Sequence, residues 1–199
     1  MSLFFPGFFE SNEYFIDEKV QFLKFHNEYK VFDQTGTQLG AVTQKVPGWQ
    51  KVLRLIVNKK IMPFELQITD NNDQVVASIH RGWTFWLSKI LIKDGNGHDI
   101  GFIKQKFAIL KPRFRIFDIG GAPIAEISGD WRAWNFNITD ASGQVIGAIN
   151  KKWGGVAKEM FTSADKYHVS IAPEFAEDRN KMNIVATAIT IDMVLKESS

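Results

Sequence analysis

The sequence predicts a mainly β protein in which a closed or nearly closed sheet surrounds its own C-terminal helix. Three observations carry this. The chain ends in a run, Met182 to Leu195 (MNIVATAITIDMVL), that is apolar on every side and interrupted only by Asn183, Thr187, Thr190 and Asp192. A helix that is apolar all round has to be covered all round. Upstream, apolar and polar residues alternate with the period of two that marks strands with one buried face. That alternation is in turn organised as one repeated hairpin.

Residues 1–28 read as an N-terminal arm and first strand. Leu3, Phe4, Phe5, Phe8 and Phe9 make the arm apolar. Such a terminus is expected to be tied into the fold rather than to touch a membrane. Five segments then share one grammar: an alternating apolar run, an aspartate, a short Gly/Asn-rich turn and a second apolar run. The aspartates are Asp33, Asp70, Asp94, Asp118 and Asp140, and the last three spacings are 24, 24 and 22 residues. Asp, Asn and Gly between paired runs predict hairpin turns, and Asn96-Gly97 is a type I′ signal. A hairpin alone is marginal, so the units must extend one another's sheet. Residues 176–196 read as the central helix, with Ile184, Val185, Ile189 and Val194 in the core. Its 14-residue apolar run, with an acid inside it, falls short of the ~20 apolar residues a bilayer needs.

Composition fits a single domain over residues 1–199. Hydrophobic content of 45% and 17 phenylalanines can fill a barrel, and no linker or low-complexity tract divides the chain. The net charge of +2 does not signal nucleic acid. The absence of cysteine excludes disulfides, thiol catalysis and zinc-thiolate sites. MSLFFPGFFESNEYF lacks the basic n-region and small-residue cleavage site of a secretion signal.

Enzyme signatures are missing. His26, His80, His98 and His168 are far apart, and no pair has metal-ligand spacing. There is no nucleophile elbow, Walker loop or dinucleotide fingerprint. Asp94-Gly-Asn-Gly-His-Asp99 resembles the start of a calcium loop, but His98 stands at the fifth position and Gln105 where a bidentate glutamate is needed. Asn137-Ile-Thr139 fits a glycosylation sequon and is read as strand alternation.

Two groups of residues belong either to the core or to a surface. Trp83, Phe85 and Trp86, with Trp49, Trp131, Trp134 and Trp153, read as core and barrel-mouth packing or as a membrane-interface patch. Lys45, Lys51, Arg54, Lys59 and Lys60 form one basic group, and Lys104, Lys106, Lys111, Arg113 and Arg115 another. Alternating with apolar residues, they are the solvated face of strands or a surface for anionic headgroups. The candidate lipid-binding set is Lys104, Lys106, Lys111, Arg113, Arg115, Trp83 and Trp86.

Ile149-Asn-Lys-Lys-Trp-Gly-Gly-Val-Ala-Lys-Glu-Met-Phe-Thr-Ser-Ala-Asp165-Lys-Tyr-His-Val-Ser-Ile171, with Ile191-Asp192 in the terminal helix, resembles the end of the phospholipid scramblase family. The hairpin grammar extends the likeness back to about Tyr29. That family is related to the LURP-one-like proteins and the Tubby C-terminal domain. The resemblance implies a closed twelve-stranded β-barrel threaded by a central hydrophobic helix, peripheral membrane association and calcium-promoted phospholipid movement between leaflets.

The departures matter. In the family's calcium segment this chain keeps Asp165 and Glu174, while Ser163 and Lys166 stand where oxygen ligands are expected. Any calcium site is therefore expected to be weak, and no other cofactor is implied. Animal members carry cysteines for palmitoylation; the matching Trp83–Leu87 stretch has none, and the proline-rich N-terminal extension is missing. The expected protein is non-enzymatic, scramblase-like and cytoplasmic. It acts peripherally at the inner membrane face, with anionic phospholipid as partner and no small-molecule substrate. The alternative is a soluble regulatory or interaction module for protein or nucleic acid on the same barrel.

Overall fold

The structure is a computed structural model, and it describes residues 7–19, 28–48, 57, 61–83, 89–106, 112–130, 132–151, 166–175 and 178–197. Twelve strands run in the order β1 (Glu13–Lys19), β2 (Glu28–Phe32), β3 (Gln38–Lys45), β4 (Phe64–Asp70), β5 (Val75–Arg81) and β6 (Lys89–Asp94). They continue as β7 (Asp99–Lys106), β8 (Arg113–Asp118), β9 (Pro123–Asp130), β10 (Asn135–Asp140), β11 (Val145–Asn150) and β12 (Lys166–Ile171). One helix follows, α1 (Asp178–Glu197). Each strand pairs antiparallel with its neighbour in sequence, and β1 also pairs with β12, which closes the barrel.

The five aspartates each build a turn of the same design. The amide three residues on (Gly36, Asp73, Gly97, Gly121 or Gly143) donates to the aspartate carbonyl at 3.0–3.2 Å. That third residue is left-handed, with φ between 59° and 92°. Glycine takes this conformation freely and Asp73 tolerates it. The aspartate carboxylate accepts one or two backbone N–H groups of the turn at 2.7–3.0 Å. A register shift follows in each hairpin, as between Ile92 and Lys93. This is a type I turn closed by a one-residue bulge. It corrects the type I′ expectation at Asn96-Gly97. Type I′ needs positive φ at both central residues, whereas in this turn only Gly97 has it. The Asp94 carboxylate, bonded to the amides of Asn96 and His98, holds the alternative.

Because all five turns join an even-numbered strand to the next odd-numbered one, they lie together at one end of the barrel, the turn end. The other strand-to-strand connections leave the opposite, loop end. Asn137 is exposed and Ile138 buried on β10, so the sequon there is strand alternation.

Inside the barrel, every residue of α1 from Lys181 to Val194 is buried. Ile184, Val185 and Ile189 are fully enclosed and Val194 nearly so, against Leu66, Ile79, Ile116, Phe136 and Val169 of the same core. The helix is 20 residues long, so length alone would let it cross a bilayer. Its charges decide otherwise: among the described residues no helix is long and apolar enough to cross a membrane.

Its polar residues are accommodated individually. The hydroxyls of Thr187 and Thr190 donate to the carbonyls of Asn183 and Ala186, four residues back. Asn183 Nδ2 donates to the Ile100 carbonyl at 3.3 Å. A Cβ at Gly101 would lie 2.8 Å from Asn183 Oδ1, so glycine is what lets helix and wall approach. Asp192 accepts the Tyr29 hydroxyl, and Lys181 donates to Asn12 Oδ1 and the Glu10 carbonyl. Phe8 and Phe9, in a short 3-10 turn at Gly7–Phe9, are buried in the core. Leu3, Phe4 and Phe5 lie outside the described residues.

Candidate functional site

On the outer wall, β6, β7 and β8 bring basic residues into register. Lys89 stands opposite Lys104, Lys104 opposite Arg115, and Arg115 opposite Glu126 of β9. Two residue pairs closer to the loop end, Lys106 stands opposite Arg113. Like charges directly across a ladder destabilise a sheet, so three such pairings on neighbouring strands need an explanation.

Part of it lies beneath them. Phe102 and Phe117, also cross-strand partners, stack with centroids 5.1 Å apart. The ammonium of Lys89 lies 4.3 Å from the Phe102 centroid, and that of Lys104 lies 4.9 Å from the Phe117 centroid. Cation–π attraction holds both side chains over an aromatic floor. Glu126 supplies the rest: it is 3.0 Å from Arg115 and 3.9 Å from Arg113. One carboxylate thus serves two guanidinium groups. Among the described residues, neither Lys89 nor Lys104 has a carboxylate partner. The result is an exposed cationic surface that can hold phosphate or carboxylate anions.

The expected lipid-binding set is divided by the structure. Lys104, Arg113 and Arg115 are brought together and exposed. Lys106 shares their ladder by register. Lys111 and Trp86 lie outside the described residues. Trp83, 48% exposed, follows β5 at the loop end. Trp134 behaves as mouth packing: it is half-buried, stacks on Tyr167 at 5.4 Å and lies under the Lys151 ammonium. Trp49, Trp131, Trp153, Phe85, Lys51, Arg54, Lys59 and Lys60 lie outside the described residues, and Lys45 is exposed at the loop end of β3.

Sequence reasoning missed Lys89, the Phe102–Phe117 floor and the Glu126 counter-ion. Counting back along the β6–β7 hairpin from Asp94 would have placed Lys89 opposite Lys104. Glu126 needed the register of the next hairpin, which the bulge at Ile116/Phe117 shifts by a residue.

For calcium, Asp165 lies outside the described residues, and Glu174 is exposed beyond the turn end of β12. Lys166 begins β12 at the other end, its buried ammonium 3.2 Å from Asp17. A six-residue strand therefore separates Lys166 from the Glu174 side of the segment. Among the described residues, no group of three or more His, Asp or Glu side chains is placed to hold a metal ion.

A family model described as Scramblase matches residues 18–198. The chain is 23% identical over 193 residues to Altered inheritance rate of mitochondria protein 25 of Saccharomyces cerevisiae, covering 85% of this chain and 58% of that protein. It is 28% identical over 151 residues to phospholipid scramblase 1 of Homo sapiens, covering 69% of this chain and 47% of that protein. With Homo sapiens phospholipid scramblase 2 the identity is 27% over 149 residues, covering 68% and 50%. The chain spans about half the length of these relatives. A solved protein of Arabidopsis thaliana shares the fold at 9% identity and a TM-score of 0.54, over 93% of each chain. With a family model that takes in every strand from β2 onward and α1, this chain belongs to the scramblase family.

Proposed function

We propose that the chain is a scramblase-like, anionic-phospholipid-binding protein that acts peripherally at the inner, cytoplasmic face of a membrane without covalent chemistry. The observation that carries this reading is the cationic surface of Lys89, Lys104, Arg113 and Arg115 over the Phe102–Phe117 floor. Its cross-strand pairings disfavour the folded state in isolation and are relieved by an anion laid over them. The inner leaflet carries such anions, and each cation near it contributes about 1 kcal/mol. Promotion of transbilayer phospholipid movement belongs to the same proposal. It would act from outside the barrel, because α1 fills the interior and, among the described residues, leaves no polar path there.

Liposome flotation tests the reading. The full chain should float with vesicles of phosphatidylcholine and phosphatidylserine, and not with phosphatidylcholine alone, and added salt should release it. Failure to float with anionic vesicles at low salt would refute it and leave the protein- or nucleic-acid-binding module as the reading.

A further inference from the structure

The two ends of the barrel carry opposite charge. The turn end presents Asp33, Asp70, Asp94, Asp118 and Asp140, joined by Asp73 and Asp99. Of the nearby lysines on the wall, Lys93 is committed to Asp99 at 2.6 Å. Backbone amides converge on each of the five turn carboxylates. At the loop end, Lys45 closes β3, Lys89 opens β6, and Arg113 opens β8 with Lys104 beside it. Arg132 and Lys151 stand at the β9–β10 and β11–β12 connections. Glu28, Glu65 and Asp130 share that end, and Asp17 is paired there with Lys166; these acids do not balance the cations.

A body charged this way has a dipole along its axis, and the field of an anionic surface turns such a body as well as attracting it. We infer that the barrel docks upright on an anionic bilayer, with its loop end against the headgroups and its five aspartate turns pointing away. The inference rests on the lipid reading above and deepens it by fixing which part of the wall meets the membrane. The cationic rows at the loop ends of β6–β8 then form one flank of the docking face, and Trp83 lies at headgroup level, where its ring is suited to sit. Side-on docking would bring the turn aspartates within a Debye length of the same anionic surface, where they would be repelled.

The chain has no cysteine, so single labelling sites can be introduced without background. Ala133 and Ala141 are exposed alanines in the turns at either end of β10, separated by roughly 20 Å of strand. Ala133→Cys and Ala141→Cys are each labelled with an environment-sensitive fluorophore and mixed with phosphatidylcholine–phosphatidylserine vesicles, co-sedimentation being measured on the same samples. The expected result is a blue shift and protection from aqueous quencher at position 133, with position 141 unchanged. Co-sedimentation with both labels shifted, with only position 141 shifted, or with neither shifted overturns the orientation and leaves lipid binding intact. No co-sedimentation at low salt overturns the lipid reading and the orientation with it.

Discussion

The hydroxyl of Tyr29, at the loop end of β2, lies 2.6 Å from Oδ2 of Asp192 in the last turns of α1. This contact lets an acid sit inside an otherwise apolar helix: a buried carboxylate needs donors, and the wall supplies one. Tyr29→Phe keeps the ring and removes the donor. It should destabilise the fold by about 1–3 kcal/mol. Chemical denaturation with an unchanged midpoint would show that the hydrogen bond contributes nothing.

Ile189 lies at the centre of the enclosed face and is fully buried. Ile189→Ala should cost about 2–5 kcal/mol through lost burial and a residual cavity. Ile189→Asp should prevent folding, because it buries a charge in an apolar layer. A soluble, cooperatively melting Ile189→Asp protein would show that the helix is not held where the structure has it.

On the basic surface, Glu126 competes with any bound anion for Arg113 and Arg115. Glu126→Gln should therefore tighten binding to phosphatidylserine vesicles, whereas Lys89→Ala and Lys104→Ala should each weaken it by about fivefold, the equivalent of ~1 kcal/mol per cation. If Trp83→Ala weakens binding more than either lysine change does, aromatic insertion leads and electrostatics follow. Thermal melts of the variants separate loss of binding from loss of fold.

The turn aspartates give a pH signature. Asp140 is held below the ordinary carboxylate range by the Ser142 hydroxyl and by the amides of Gln144, Ser142 and Gly143. At Asp33 some desolvation pushes upward, and the Thr35 hydroxyl with the turn amides outweighs it. A depressed folded-state pKa stabilises fully above the unfolded value of about 3.9 and is lost as pH falls through the folded one. Asp140→Ala should thus lower the melting temperature at neutral pH, with the deficit shrinking below about pH 4. A deficit that does not change with pH would assign the effect to something other than the carboxylate charge.

For calcium, the segment that retains Asp165 and Glu174 should bind no tighter than the millimolar range of weak oxygen sites. Calorimetry giving micromolar affinity that disappears in Asp165→Ala would overturn this.

Much of the barrel could be read from the chain because its information is local. The Asp33, Asp70, Asp94, Asp118 and Asp140 turns follow from residues within five positions of one another, and the strands from alternation on either side. The turn geometry was harder to read: Asn96-Gly97 looks like a two-residue turn until the Asp94 carboxylate is seen bonding two residues on and four residues on. Helix burial was legible for Ile184 and Ile189 from composition alone. Its partners were not, since Tyr29 and Asp192 are 163 residues apart. The cationic site was half legible for the same reason. Lys104, Arg113 and Arg115 cluster in sequence, whereas the counter-ion Glu126 and the stacked phenylalanines depend on register between strands.

The seam where β1 meets β12 has a kinetic consequence. Eleven of the twelve junctions join strands that are consecutive in the chain, but the seam brings Glu13 to His168 across 155 residues. Loop-closure entropy at that separation must be overcome before the last ladder gives any return, so contact order there is high and completion of the ring should be the slow phase of refolding. Until it closes, β1 and β12 each expose a row of unpaired amides and carbonyls, which is a template for another chain. Refolding yield should therefore fall as protein concentration rises, while the finished barrel, having no free edge, is spared that hazard.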